Sequence, residues 1–184
     1  MTKAKLIFEY SIKDAEELLA HFDSINKKPP PENAEVLKRA GLIMALTAWE
    51  TFIEDLIVEE IEKKISILKG SIAGDFISDR LNEELKRFHN PNSEKTRKIF
   101  KEYLKIDIYE AWEWPNFDKK KTRDNLDALM SKRGDAVHRS KVVTQGTNAP
   151  HLVKREELEK AISFLKTLVE KTDSYISSYQ SKDA

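Results

Sequence analysis

Residues 42–61 are apolar around most of a helical circumference, and this feature restricts the fold more than any other in the chain. A helix of this kind has no face to offer water, so other elements must surround it. The sequence therefore predicts a bundle built about one central helix. The helical pattern extends from about residue 32 to residue 69. At about 1.5 Å per residue, a helix that long exceeds about 50 Å, so a bend or break is expected. Gly41 is either a weak point in that helix or a place of close packing.

Five further segments carry helical periodicity. Residues 12–25 place Ile12, Ala15, Leu18, Leu19 and Phe22 on one face, behind Ser11 and Asp14 as an N-terminal cap. Residues 75–88 carry Phe76, Ile77, Leu81 and Leu85, and residues 93–104 carry Ile99, Phe100, Tyr103 and Leu104. Helices are also expected over 119–135 and 155–178. Between them lie breakers: Lys-Lys-Pro-Pro-Pro at 27–31, the glycines at 70 and 74, and the turn His89-Asn90-Pro91-Asn92. Residues 142–153 read as a loop marked by Gly146, Asn148 and Pro150. Residues 106–117 read as an aromatic-rich packed loop. Its Trp112 and Trp114 are core plugs or, if exposed, platforms on which RNA bases would stack. No strand-period segment or internal repeat is evident. The expectation is an all-α bundle of five or six helices in a single domain, 1–184. Its folded core spans about 11–178, with the second, fifth and sixth helices at its centre.

Composition narrows the chemistry. In 184 residues, 32 basic and 32 acidic side chains cancel, so no global field favours nucleic acid, and a polyanion site must come from local clustering. With no cysteine, disulfides, thiolate metal sites and cysteine nucleophiles are excluded. No apolar run is long enough for a membrane span, and the first ten residues lack a signal-peptide core, so a cytoplasmic protein with no membrane partner is expected. There is no phosphate-cradling glycine loop, zinc spacing or nucleophile elbow. No metal and no cofactor are expected. His21 reads as a solvated histidine and His89 as a loop histidine, while His138 and His151 are too isolated for a metal site.

Residues 131–140, Ser-Lys-Arg-Gly-Asp-Ala-Val-His-Arg-Ser, hold the chemistry that remains. Leu126, Leu129, Met130, Ala136 and Val137 form a core-facing stripe, and Arg133 falls on it. A guanidinium there is costly unless it is paired or opens onto a cleft. His138, five residues on, can titrate near neutral pH. On the central helix, Glu50 interrupts the line Ile43, Leu46, Ile53, Ile57, Ile61. It either sits at the stripe's edge or pairs with a buried cation, for which Arg133 is the candidate. Glu54, Asp55, Glu59, Glu60 and Glu62 read as a solvated face. From 118 to 141, eight basic residues stand against four acidic ones, a local surplus of four around the motif. Lys132, Arg139 and Asp135, which flank Arg133 and His138, are the candidate substrate-binding residues.

An arginine and a histidine beside a basic patch suit phosphodiester cleavage. His138 would move the proton of a ribose 2′-hydroxyl or of the leaving oxygen, and Arg133 would hold the phosphate. Residues five apart on an unbroken helix point about 140° away from each other. They converge if the helix ends near Gly134, or if a two-fold axis pairs the motifs of two chains.

Arg133 and His138 together resemble the Arg-x4-His signature of the HEPN superfamily. The segment Ala45-Leu46-Thr47-Ala48-Trp49-Glu50-Thr51-Phe52-Ile53-Glu54-Asp55-Leu56 is similar to the long central helix of that family. Residues 100–114 followed by 126–138 are similar to the region before its motif, particularly in the RiboL-PSP-HEPN subgroup. The resemblance spans about 35–173. It implies an all-α bundle, a homodimer with both motifs lining an interface cleft, and metal-independent endoribonuclease activity. Such proteins often act as toxins or in antiviral and stress defence, so RNA and an antitoxin protein are the implied partners. Arg133, His138 and Glu50 are the catalytic candidates. The alternative is a non-catalytic HEPN module that binds a partner protein or a nucleotide, which Gly134 at its place in the motif favours.

Overall fold

The computed structural model describes residues 1–27, 31, 34–138 and 152–183, with side chains except at 138 and 180–183. Six α-helices occupy the described residues: α1 (Lys3–Ile25), α2 (Glu35–Lys64), α3 (Ile72–Leu85), α4 (Ser93–Leu104), α5 (Lys119–His138) and α6 (Arg155–Asp183). Two short 3-10 turns, Ser66–Leu68 and Ile108–Ala111, complete the helical structure. No strand is present among the described residues; Trp114 and Phe117 pair only as an isolated bridge.

The central helix is α2. Leu42, Ala45, Leu46, Trp49, Phe52, Ile53, Leu56 and Ile57 are buried on it, as an all-round apolar helix requires. It is continuous from 35 to 64, about 45 Å long. The pattern expected to 69 instead ends in the first 3-10 turn. Gly41 is a point of close packing: a Cβ there would lie 2.8 Å from Leu158 Cδ2 on α6.

The first helix begins nine residues before the expected start. Thr2 caps it, its hydroxyl accepting from the Lys5 amide at 3.1 Å. Glu59 on α2 accepts from the amides of Lys3 and Ala4 at 2.9 and 3.2 Å. Ala4 and Phe8 extend the buried stripe backwards. Glu59 and Glu60 thus depart from the solvated face on which they were expected. Burial would raise the Glu59 pKa, but the Lys63 ammonium and the two α1 amides outweigh it and hold it low. Glu60 is buried and accepts from Lys63 at 2.8 Å. The main partner of α2 is α1, so the core is not centred on α2, α5 and α6 alone.

The start of the chain is also fastened to α6. The Thr2 amide and hydroxyl both donate to Asp173 Oδ1, at 3.1 and 2.5 Å, and both residues are buried. Replacing Thr2 by Ala removes a helix cap and half of this clasp. It is expected to destabilise the fold by about 1–2 kcal/mol in denaturant melts. An unchanged midpoint would rule the clasp out as a stabilising contact.

Packing of α3 is lighter than its pattern implied. Leu81 is buried, but Phe76, expected on the inner face, is 69% exposed. The aromatic loop packs against α4 and α6. Trp112 is fully buried and its indole N–H donates to Thr172 at 3.1 Å. Trp114 is half-buried and stacks on Phe117 with centroids 5.1 Å apart. Neither ring stands free. Asp107 opens the loop's 3-10 turn and accepts from Arg97, whose guanidinium holds the carboxyl far below the usual range. The expected 142–153 loop falls largely outside the described residues, as does His151. No helix among the described residues is long and apolar enough to cross a membrane.

Candidate functional site

The site forms where α2, α5 and the turn between α3 and α4 meet. Leu126, Met130 and Ala136 are buried on the inner face of α5, and Arg133 shares that face. Its guanidinium NH1 donates to Glu50 Oε2 at 2.5 Å and to Asn90 Oδ1 at 2.5 Å, and NH2 donates to Thr47 Oγ1 at 3.3 Å. The Arg133 side chain is 17% exposed and that of Glu50 12%. A carboxylate interrupting the apolar line of α2 therefore meets a guanidinium interrupting the apolar stripe of α5. Each makes the other's partial burial affordable.

The turn is built to hold its place. Asn90 has φ of +53°, a left-handed conformation that asparagine tolerates better than most residues. The indole N–H of Trp49 donates to Pro91 O at 3.0 Å, and Lys95 Nζ donates to His89 O at 2.7 Å. Asn92 caps α4 by accepting from the Lys95 amide. Ser93 donates through its amide and hydroxyl to Asp127 of α5, at 2.7 and 2.9 Å. Bonds from α2, α4 and α5 thus fix four consecutive turn residues and the one that follows.

His89 projects from this turn with its side chain 77% exposed. Its Nδ1 lies 3.7 Å from Glu50 Oε1. One helical turn beyond Glu50, burial pushes the Glu54 pKa up, the Glu50 and Asp55 carboxylates add to this, and His89 opposes it. Glu54 also lines a groove of ≈ 800 Å³ with Phe76, Arg80 and Lys86. Among the described residues no group of three His, Asp or Glu is placed to hold a metal ion.

The structure brings Glu50 and Arg133 together and separates Lys132 from them. Lys132, one residue earlier on α5, bonds Glu157 of α6 at 2.5 Å. Asp135 is half-buried on α5. Arg139 lies outside the described residues. His138 is the last residue of α5, and its side chain is not among those described. The helix does not end at Gly134, so a break there does not bring positions 133 and 138 together. Val137, placed on the core stripe by its spacing, is 51% exposed. The basic surplus is partly spent, because Lys119, Lys132 and Arg133 pair with Glu110, Glu157 and Glu50, all outside the segment.

Sequence reasoning missed Thr47, Asn90 and, as a site residue, His89. Thr47 was accessible to it, since a residue three before Glu50 shares its helical face. The turn residues were not, because nothing local ties them to α5.

A family model described as RiboL-PSP-HEPN matches residues 9–178. Comparison with curated proteins and with solved structures finds no match.

Proposed function

The chain belongs to the RiboL-PSP-HEPN family, and from that premise we propose that it is a metal-independent endoribonuclease. The observation that carries the reading is the motif arginine, held at the surface by Glu50 from the centre of the bundle at 2.5 Å. A guanidinium fixed by a carboxylate, yet still in contact with solvent, is preorganised to receive a phosphate.

In this mechanism Arg133 binds the scissile phosphate and stabilises the charge that develops on its oxygens. Glu50 positions Arg133. His138 moves a proton at the 2′-hydroxyl or at the leaving oxygen. The 2′-oxygen bonds to phosphorus as the bond to the 5′-oxygen breaks. The products are a 2′,3′-cyclic phosphate and a 5′-hydroxyl, and the need for a 2′-hydroxyl makes the reaction specific to RNA. Lys132, Asp135 and Arg139 border the motif as substrate-binding residues. A homodimer with the two motifs in a shared cleft fits the exposed Val137, whose apolar side chain a second chain would cover. A toxin or defence role, with an antitoxin as partner, follows from the family's habits.

The rival reading, a non-catalytic module that binds a protein or nucleotide, is favoured by how fully Arg133 is engaged by Glu50, Asn90 and Thr47. Incubation of the purified protein with structured and unstructured RNA in EDTA separates the two. Wild type is expected to cut and leave cyclic-phosphate ends, whereas His138→Ala is expected not to cut. An inert wild type would decide for the rival.

A further inference from the structure

The cleavage just described moves two protons, one off the 2′-hydroxyl and one onto the leaving 5′-oxygen. The motif supplies one imidazole per chain. We propose that His89 supplies the second, in the same chain as Arg133, with Glu50 aligning its ring; this rests on the ribonuclease reading above.

The carboxylate of Glu50 faces both groups. Its Oε2 accepts from Arg133 and its Oε1 lies 3.7 Å from His89 Nδ1. A carboxylate opposite one imidazole nitrogen fixes the ring and leaves the other nitrogen to exchange protons with substrate. Catalytic contacts are often this long without substrate and shorten when it binds. A single side chain would thus set the spacing between the cation that holds the phosphate and the imidazole that works beside it.

The backbone carrying His89 is as well placed as a loop allows. Its carbonyl is held by Lys95, the next residue's side chain by Arg133, and the following carbonyl by Trp49. Asn90 adopts its left-handed conformation between these bonds. The ring itself is mostly in solvent and has little packing role. The charges facing it are Glu50 and Glu54 from α2, Arg133 from α5 and Lys95 from α4.

In the reaction one neutral imidazole accepts the 2′-hydroxyl proton as that oxygen bonds to phosphorus. The bond to the 5′-oxygen breaks, and the second imidazole, protonated, gives that oxygen its proton. His89 fills whichever of these roles His138 does not, and exchange with solvent restores both. Because α5 runs unbroken, position 138 points about 140° away from position 133, so the motif imidazole that works with His89 comes from the second chain across the shared cleft, while His89 stands beside the Arg133 of its own chain.

The test is the rate of RNA cleavage in EDTA from about pH 5 to pH 9, for wild type, His89→Gln and His89→Ala, alongside their melting temperatures. Wild type is expected to show a maximum with two limbs. His89→Gln keeps a polar side chain that cannot titrate. It is expected to lose about 100-fold at the maximum, together with one limb, at an unchanged melting temperature. If both variants cut at the wild-type rate with both limbs intact, the proposal is overturned and the ribonuclease reading stands. If wild type cuts nothing at any pH, both fall together.

Discussion

Arg133→Ala is expected to lower the RNA cleavage rate by about 100- to 1000-fold, the usual consequence of removing one preorganised group that stabilises transition-state charge. The loss should lie mainly in kcat, because a phosphate gains charge at the oxygens that the guanidinium faces only as the reaction proceeds. Arg133→Lys is expected to recover little. A lysine keeps the charge, but its single nitrogen cannot hold Glu50 and Asn90 while also reaching Thr47, as the guanidinium does through NH1 and NH2. Arg133→Ala also bears on stability, because it leaves the Glu50 carboxylate 12% exposed without its cation. A cost of about 1–3 kcal/mol is expected, and adding Glu50→Gln should return part of it. Activity and stability therefore come apart in the double variant: the fold recovers and the cleavage does not. Undiminished cleavage by Arg133→Ala would remove the arginine from the mechanism.

Trp49→Ala is expected to cost about 3–5 kcal/mol, the largest stability loss of any single change considered. Trp49 is fully buried on α2, against Phe52 at 6.0 Å and Trp112 at 6.2 Å between ring centroids. In a domain of this size the loss corresponds to about 6–20 °C in melting temperature. Trp49→Phe separates packing from hydrogen bonding. It retains most of the ring and loses the N–H that holds Pro91 O. A smaller loss of about 1–3 kcal/mol is expected, with a cleavage defect larger than that loss explains, because Asn90 and His89 sit on the turn the indole secures. Calorimetry on both variants checks this, and equal melting temperatures for wild type and Trp49→Ala would contradict the assigned core.

That α2 is central was legible because its apolar residues cover every face, a property that needs no partner to be seen. The pairing of Glu50 with Arg133 was legible as a candidate for a related reason: each is a charge on an otherwise apolar line. The start of α1 was not, because the residues that satisfy its first amides are Thr2, which lies before the helix, and Glu59, on another helix. Glu59 and Glu60 were misread for the same reason. By composition they belong to a solvated face, and only the packing of α1 onto α2 shows otherwise. Phe76 and Val137 erred in the opposite direction. Their spacing puts them on inner faces, but α3 is lightly covered and Val137 lies near the end of α5. The direction of Lys132 was not legible from its place beside Arg133, because adjacent helical residues diverge by about 100°, and its ammonium meets Glu157 of α6.

The clasp between Thr2 and Asp173 has a kinetic consequence. It joins positions 171 apart in sequence, whereas α1 and α2, the most extensive pair, are neighbours along the chain. Contacts between neighbouring segments close small loops and can form early, while a link across nearly the whole chain waits until the intervening helices have docked. The α1–α2 hairpin is thus the natural nucleus, and the clasp belongs to the native side of the folding barrier. In a chevron, Asp173→Ala, which cuts the clasp and leaves the Thr2 cap of α1 in place, should speed unfolding with the refolding limb little changed. The clasp then acts as a latch on the finished bundle: it governs how long the fold lasts rather than how fast it is reached.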